Sequence, residues 1–219
     1  MKQGSIEAVI FDLDGTLLDT IEDIGDAANA MFEQYGLPLH SISDYRKWVG
    51  NGVIKFIERA LQDDYDPEQV QTYVATFREI YSKNLNKKTR LYDGNSSMLT
   101  ELSKKGIRLS VLSNKPDYLT KKIARAYLSL WPFHPVLGQR DHVPRKPDPA
   151  AALEIAEILS IEPDRIMFVG DSDTDMNTAR AAEMVPVGVT WGYGRMEDHS
   201  FEKEGACIDH PEELLSLIT

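Results

Sequence analysis

The sequence predicts an α/β fold, in which a doubly wound, mainly parallel sheet carries an inserted helical cap domain. Short apolar runs, such as Val9-Ile10-Phe11 and Ile166-Met167-Phe168-Val169, are typical of strands that are buried on both faces of a parallel sheet. From Leu91 onward, such runs alternate with segments in which apolar residues recur at helical spacing. This alternation is the order expected of βαβ units, so a doubly wound sheet is expected.

The helical insertion follows the first strand. Apolar residues recur at helical spacing over residues 21–35, 53–61 and 66–85, and no convincing strand interrupts them. We therefore assign residues 19–88 to the cap, and residues 1–18 and 89–219 to the α/β core. Core strands are predicted at residues 8–11, 107–112, near Val136, 166–169 and 185–189, and core helices at residues 95–105, 117–127, 149–159, 175–182 and 211–218.

Composition and charge exclude several classes of function. The formal net charge of −11 argues against a nucleic acid partner, because duplex binding depends on neutralising phosphates with Lys and Arg. No apolar run is long enough to span a bilayer, and residues 1–6 lack the pattern of a secretory signal, so a cytoplasmic protein without a membrane role is expected. Cys207 is the only cysteine, which excludes an internal disulfide, and it is predicted to be a small buried hydrophobe. Small phosphorylated partners stay compatible with this charge, because their binding depends on local lysines and a cation.

Acidic residues follow two of the predicted strands. Asp12 and Asp14 come directly after the first strand, where Gly15 turns the chain. The strand at 166–169 ends similarly, in Gly170-Asp171-Ser172-Asp173-Thr174-Asp175. Because ligand sites of parallel sheets lie beyond the carboxyl ends of the strands, these acids are expected to share one crevice. An acidic turn that merely ends a strand is the alternative interpretation of the first pair.

Such a cluster of acids requires a positive partner. Two unit charges 4 Å apart repel by about 4 kcal/mol at an effective dielectric constant of 20. Oxygen ligands without His or Cys suit a hard cation, and a site with few carboxylates favours Mg²⁺ over Ca²⁺. Asp171 is the strongest candidate for a direct ligand. Asp175 either binds through water or stabilises the dipole of the helix that it begins, and Asp173 is interpreted as a turn or capping residue.

Two further segments offer groups that bind phosphate. Ser113-Asn114-Lys115 ends the strand at 107–112, where a hydroxyl and backbone N–H groups can hold phosphate oxygens, although an N-capping turn is the alternative. Lys146 stands before a predicted helix in Arg145-Lys146-Pro147-Asp148-Pro149, and it can neutralise both a carboxylate and a phosphoryl oxygen. Taken alone, the Lys-Pro pair is typical of a solvated helix entry.

Together, these motifs resemble the haloacid dehalogenase superfamily, in its phosphoglycolate phosphatase-like branch with a helical cap after the first motif. The resemblance is carried by Asp12-Leu13-Asp14-Gly15-Thr16-Leu17, Ser113-Asn114-Lys115, Lys146-Pro147 and Gly170-Asp171-Ser172-Asp173-Thr174-Asp175 in the core, by Trp48-Val49-Gly50-Asn51-Gly52 and Glu58-Arg59-Ala60-Leu61 in the cap, and by Gly192-Tyr193-Gly194 near the end. It covers nearly the whole chain.

The resemblance implies a Mg²⁺-dependent phosphomonoester hydrolase that works through an aspartyl phosphate. Asp12 would be the nucleophile and a metal ligand, and Asp14 the general acid and base, whose backbone carbonyl also binds Mg²⁺. Ser113 and Lys146 would hold phosphate oxygens, while Asp171 and Asp175 complete the metal site. The implied substrate is a small phosphorylated metabolite, most directly 2-phosphoglycolate. A monomer or a homodimer is expected.

Specificity in capped members comes from residues that face the cavity. The substrate-binding candidates are Asn114 in the core and Gly50, Asn51 and Arg59 in the cap, with Arg46, Lys47 and Lys55 as further cap cations. Ordinary helix-surface charge is the alternative for most of these. The loop at residues 137–141 departs from the family's usual sequence, and Glu183 stands where relatives usually carry Gly, so a different helix end is expected there.

Other activities remain as alternatives. A pyrophosphatase or a sugar or nucleotide phosphatase fits the same core motifs. A mutase similar to β-phosphoglucomutase is less favoured, because such mutases carry a His on the first cap helix where this chain has Ile24. The acid at Asp14 disfavours dehalogenases and phosphonate hydrolases. A non-catalytic phosphate-binding protein would not need both Asp12 and Asp14.

Overall fold

The computed structural model describes residues 5–62, 66–194, 196, 202–203 and 205–218. Within them a six-stranded sheet forms the centre of the core, and each pair of neighbouring strands runs parallel. The strands of this sheet are β1 (Ala8–Phe11), β4 (Arg108–Pro116), β5 (Phe133–Gln139), β6 (Ile166–Gly170), β7 (Val185–Val189) and β8 (Ala206–Ile208). Two short strands, β2 (Leu18–Asp19) and β3 (Arg90–Leu91), pair antiparallel outside it.

The strand order is β5-β4-β1-β6-β7-β8. The chain leaves β1, forms the helical insertion, and enters β4 on one side of β1. It later returns to β6 on the other side. The direction of winding therefore reverses at β1, and such a reversal leaves a crevice beyond the carboxyl end of the strand.

Helices cover both faces of the sheet. Val9 and Phe11 belong to one buried core cluster, whereas Ala8 and Ile10 belong to a second, because successive side chains of a strand point to opposite faces. The helices of the core are α5 (Asn95–Lys104), α6 (Asp117–Tyr127), α7 (Ala150–Leu159), α8 (Asp173–Ala181) and α9 (Leu214–Leu217). Residues of α5, α6 and α9 pack in the first cluster, and residues of α7 and α8 in the second. The predicted doubly wound α/β fold is confirmed.

The insertion folds as four helices around an aromatic centre. These are α1 (Ile21–Gln34), α2 (Ile42–Trp48), α3 (Val53–Leu61) and α4 (Val70–Asn84). Phe56 lies between Tyr45 and Phe77, with ring centroids 5.7 and 5.5 Å away, and all three side chains are buried. None of the helices formed by the described residues combines the length and the apolar character that crossing a bilayer requires.

A carboxylate closes the base of the cap. Asp23 of α1 is 2% exposed, and it accepts hydrogen bonds from the backbone N–H groups of Lys87, Lys88 and Thr89 at 2.9 to 3.2 Å. The Thr89 hydroxyl donates to it as well, at 2.7 Å. These contacts, which we call the Asp23 clamp, hold the start and the end of the insertion together beside the β2–β3 pair.

Several predicted boundaries shift in the structure. Strand β4 extends to Pro116, whereas the predicted strand ends at residue 112. Helix α4 begins at Val70 instead of 66, and α8 begins at Asp173 instead of 175. Ser172 precedes α8 and donates to Asp175 Oδ2 from its backbone N–H and its hydroxyl, at 3.2 and 2.6 Å, so Ser172 and not Asp173 is the capping residue. The expectation of a buried Cys207 is also wrong, since this residue of β8 is only half-buried.

The end of α8 also differs from the expectation. Glu183 adopts a left-handed conformation with φ of 59°, its N–H donates to Arg180 O at 3.0 Å, and the N–H of Met184 donates to Ala179 O at 2.8 Å. This is the Schellman pattern that a glycine usually provides. The helix therefore ends in the usual way, although Glu183 carries a side chain and the left-handed conformation is unfavourable for residues other than glycine.

Candidate active site

Side chains from four segments meet beyond the carboxyl end of β1. Asp12 follows β1, and its backbone N–H donates to Val169 O of β6 at 2.9 Å. Asp171 follows β6, Ser113 lies near the end of β4, and Lys146 precedes α7. Together with the cap they line a cavity of about 660 Å³. The structure thus brings the predicted core residues to one crevice.

Asp12, Asp171 and Asp175 form a buried acidic cluster. One carboxylate oxygen from each lies within 4.8 Å of those of the other two. Burial raises the pKa of Asp12 to about 7, against the opposing charge of Lys146 and with the support of Asp175. Burial and the charges of Asp175 and Asp12 raise the pKa of Asp171 to about 8. The raised pKa values mean that the positive charge near the cluster is too small to keep both carboxylates fully ionised at neutral pH.

This set of donors fits a hard divalent cation. The cluster offers carboxylate oxygens without His or Cys, which is the ligand chemistry of Mg²⁺. A cation among them would favour the ionised forms of Asp12 and Asp171, whose pKa values burial raises. Asp14 does not contribute its carboxylate to the cluster, and metal binding through its backbone carbonyl stays a prediction.

Lys146 neutralises part of the cluster. Its side chain is 3% exposed, and its Nζ lies 2.8 Å from Asp12 Oδ1 and 2.6 Å from Asp175 Oδ1. Burial opposes the charge of the ammonium, but the two carboxylates outweigh it and raise the pKa of Lys146. Lys146 is therefore charged throughout the physiological range, and it holds the carboxylates of Asp12 and Asp175 in a fixed position.

Asp14 has a different set of partners. Lys115 Nζ donates to both of its carboxylate oxygens, at 2.7 and 2.5 Å, and the Thr20 hydroxyl donates to Oδ1 at 2.6 Å. The Thr20 hydroxyl also lies 2.9 Å from the hydroxyl of Tyr193. The ring of Tyr81 covers Lys115, with Nζ 5.0 Å from the ring centroid. The two acids of the first motif thus pair with different lysines. Asp14 pairs with Lys115 of β4, and Asp12 pairs with Lys146, which precedes α7.

Close backbone approach orients Asp171. The N–H groups of Tyr193 and Gly194 donate to its Oδ2 at 3.0 and 2.7 Å, which fixes the carboxylate. Gly15 has φ of 90°, and a β-carbon there or at Gly192 would clash with the Asp171 carboxylate. Glycine is therefore required on both sides of this acid.

Asn114 joins the core to the cap and to Lys146. Its Oδ1 accepts from the Lys146 N–H at 3.0 Å, and its amide group donates to the carbonyls of Lys146 and Gly50, both at 3.2 Å. Ser113 lies on the cavity wall, where its hydroxyl accepts from the Lys115 N–H at 3.2 Å. The Asn114 amide is thus engaged with protein groups, and its predicted role in binding substrate stays a prediction.

The predicted cap residues also line the cavity. Gly50 and Asn51 lie on the loop between α2 and α3, and the Asn51 amide is 3.5 Å from the Thr174 hydroxyl of the core. Arg59 is exposed and donates to Trp48 O at 3.1 Å. Of the further cap cations, Arg46 and Lys47 lie on the same wall, whereas Lys55 pairs with Glu58.

Lys115, Thr20 and Tyr193 were not among the predicted site residues. Lys115 follows Ser113-Asn114, and a lysine directly after an apolar strand is the sequence signal that indicates it. Thr20 offers no such signal, because its role depends on the turn that brings it back to Asp14.

The match to known protein families agrees with this geometry. The model of the haloacid dehalogenase-like hydrolase family matches residues 9–189. The chain belongs to this family.

Relatives in the haloacid dehalogenase-like hydrolase family extend over almost the whole chain. A phosphoglycolate phosphatase of Nitrosococcus oceani is 32% identical over 218 residues, which cover 97% of this chain and 96% of that protein. Another, of Nitrosospira multiformis, is 36% identical over 201 residues, covering 88% and 87%. A crystal structure from Haemophilus somnus, of a protein predicted to be a phosphoglycolate phosphatase, superposes with a TM-score of 0.88 at 27% identity and covers 98% of each chain. The predictions of this family and of a phosphatase are confirmed.

Proposed function

We propose that the protein is a Mg²⁺-dependent phosphatase that hydrolyses 2-phosphoglycolate through an aspartyl phosphate on Asp12. The observation that carries the proposal is the separation of the two acids of the first motif. Asp12 lies in the buried acidic cluster and pairs with Lys146, whereas Asp14 lies outside that cluster and pairs with Lys115. One carboxylate is thereby suited to attack phosphorus and the other to exchange protons. The phosphoglycolate phosphatases among the relatives support the choice of substrate.

Asp12 acts as the nucleophile. A carboxylate oxygen forms a bond to phosphorus, and the bond from phosphorus to the ester oxygen breaks. The ionised form of Asp12 is required for this attack, and Lys146 stabilises that form at 2.8 Å. Bound Mg²⁺ would supply the remaining positive charge that keeps Asp12 and Asp171 ionised and offsets the charge of the phosphoryl group.

Asp14 transfers the protons. It gives a proton to the departing ester oxygen, so that glycolate leaves as the alcohol. It then takes a proton from water, which attacks the aspartyl phosphate and releases inorganic phosphate. Thr20 and Lys115 hold the Asp14 carboxylate and balance its charge between the two steps. The cycle ends with Asp12 free and Asp14 protonated again.

Lys146 and Ser113 bind the phosphoryl oxygens. Both lie on the cavity wall and are buried, so their interactions are little weakened by solvent. Ile24 also lies on this wall, and an aliphatic side chain there transfers no proton to a sugar hydroxyl. Hydrolysis is therefore favoured over a mutase reaction.

The test combines one substitution with a panel of substrates. Asp12→Asn should abolish phosphate release, and the wild type quenched in acid should gain the mass of one phosphoryl group on Asp12. Asp164→Asn, an exposed residue before β6 at the opposite edge of the sheet, is the matched control and should keep full activity.

The substrate is tested by kcat/KM for 2-phosphoglycolate, pyrophosphate, sugar phosphates and nucleotides, with and without a chelator. A cavity of about 660 Å³ also has room for a sugar phosphate, which makes these competitors informative. Higher kcat/KM for a bulkier phosphate would refute the choice of 2-phosphoglycolate. Unchanged turnover by Asp12→Asn would refute the covalent mechanism.

A further inference from the structure

Arg78 of α4 is a cavity cation for which the described residues provide no anionic partner. It lies on the wall of the main cavity, half-buried, on the cap side. Its Nε is buried, and none of the described residues forms a hydrogen bond with it. None of the ion pairs among residues 5–62, 66–194 and the other described positions involves Arg78.

Most of the other basic side chains on this wall are engaged. Lys146 pairs with Asp12 and Asp175, Lys115 with Asp14, and Lys47 with Asp44, while Arg59 donates to Trp48 O. Arg46 is exposed, so water solvates its charge. Arg78 thus combines a place on the cavity wall with a charge that no ion pair among the described residues neutralises. A half-buried charge without a partner is unfavourable, and an anion bound in the cavity would pair with it.

Arg78 is connected to the proposed acid and base, Asp14, through two other side chains of the cavity wall. It precedes Tyr81 by three residues on α4, which places the two side chains on neighbouring positions of one helix face, about 4.5 Å apart along the axis. Tyr81 covers Lys115, and Lys115 holds Asp14. The side chains of Tyr81 and Lys115 thus link Arg78 to Asp14.

Arg78 also marks a boundary of the main cavity. A second cavity, of about 780 Å³, adjoins the first, and Arg78, Asn114 and Val53 line both. A small substrate that spans from Asp12 toward Arg78 would end at this boundary. The position suits the far end of a substrate more than its reacting phosphoryl group.

We propose that Arg78 binds the anionic group that the substrate carries away from its phosphoryl group, which in 2-phosphoglycolate is the carboxylate. The inference rests on the proposed function. The guanidinium group offers parallel N–H donors that match a carboxylate, and Lys at this position would offer charge without that geometry. Arg78 is thus a specificity residue, and the chemistry at Asp12 does not depend on it.

The experiment compares 2-phosphoglycolate with ethyl phosphate, in which a methyl group replaces the carboxylate. Wild type, Arg78→Gln, Arg78→Lys and Lys83→Gln are assayed with Mg²⁺ for kcat/KM on both substrates. Lys83 lies on the same helix, but it is exposed and pairs with Glu79, so its substitution controls for the loss of one positive charge from α4.

We expect Arg78→Gln to lower kcat/KM for 2-phosphoglycolate by about 10- to 100-fold, mainly through KM, and to leave ethyl phosphate within about twofold. Arg78→Lys should recover part of the loss, and Lys83→Gln should behave as wild type. An equal loss on both substrates would indicate a structural role and overturn the proposal, as would no loss on either.

The wild-type rates test the proposed function separately. If wild type does not prefer 2-phosphoglycolate to ethyl phosphate, the assigned substrate and its carboxylate contact both fail, while phosphatase activity stands. If wild type shows the preference and Arg78→Gln retains it, the substrate assignment stands and only the role of Arg78 is overturned.

Discussion

Lys146→Met removes the ammonium group that neutralises the acidic cluster, while it keeps most of the apolar length of the side chain. In the wild type, Nζ lies 2.8 Å from Asp12 and 2.6 Å from Asp175, and the lysine side chain is 3% exposed. Carboxylate charges within 4.8 Å of one another repel by about 3.5 kcal/mol per pair at an effective dielectric constant of 20. Removing one partner of a buried ion pair costs about 3 to 5 kcal/mol. We expect the free energy of unfolding of the metal-free protein to fall by about that amount near pH 8.5.

This loss of stability should depend on pH in one direction. Lys146 lowers the pKa of Asp12, so without it the pKa rises further above the value of about 7. Below that pKa the carboxyl group takes up a proton, and the uncompensated charge disappears. The difference between Lys146→Met and wild type should therefore be smaller near pH 5.5 than near pH 8.5.

The assay is urea unfolding with EDTA at both pH values, followed by tryptophan fluorescence and by far-UV circular dichroism. Lys83→Met, at an exposed ion pair of α4, is the control and should change the free energy of unfolding by less than about 1 kcal/mol. A Lys146→Met variant within about 1 kcal/mol of wild type near pH 8.5, or a larger loss near pH 5.5, would refute the reasoning.

Three further outcomes follow from the structure. Asp12 and Asp171 have raised pKa values of about 7 and 8, so the folded apo protein keeps protons that the unfolded chain releases above about pH 4. The free energy of unfolding of the apo protein should therefore fall as the pH rises from about 4 to about 8. Mg²⁺ competes with those protons, and its effect on Tm should grow from about pH 5.5 to 8; a constant effect would contradict this. Glu183→Gly should raise the free energy of unfolding by about 1 kcal/mol in urea titrations, whereas Glu183→Ala, which keeps a β-carbon at φ of 59°, should bring no gain. Asp23→Asn should lower the free energy of unfolding by about 2 to 3 kcal/mol, because an amide N–H₂ group then faces the backbone N–H donors of Lys88 and Thr89. Hydrogen exchange at these two N–H groups should become faster, and unaltered exchange would count against the Asp23 clamp.

The core of the site could be predicted because it follows from strand ends. Asp12 and Asp171 come directly after continuous apolar runs, and a parallel sheet brings the carboxyl ends of such strands to one edge. Lys146 carried no such signal by itself. It entered the prediction only through its place in an ordered set of motifs.

The remaining features of the site depend on contacts between residues that are far apart in the sequence, and local sequence patterns do not predict such contacts. The pairing of Lys115 with Asp14 requires that β4 lies beside β1, and Tyr193 reaches Thr20 across 173 positions of the chain. The strands β2, β3 and β8 have two or three residues, too few to show alternation. Arg78 follows Phe77 of α4 in a stretch that is typical of an ordinary amphipathic helix. Only the three-dimensional structure shows that it lines the cavity and that no ion pair among the described residues includes it.

The Asp23 clamp and the β2–β3 pair together determine whether another domain could replace the cap. Leu18 and Leu91 are partners in an antiparallel pair, so the chain enters and leaves the insertion at two points about 5 Å apart. Any compact unit whose own ends lie that close can be spliced between these points without stretching the sheet, as in domain insertion generally. The nucleophile, the acid and the lysines would stay in place, and a new lid would bring a new specificity.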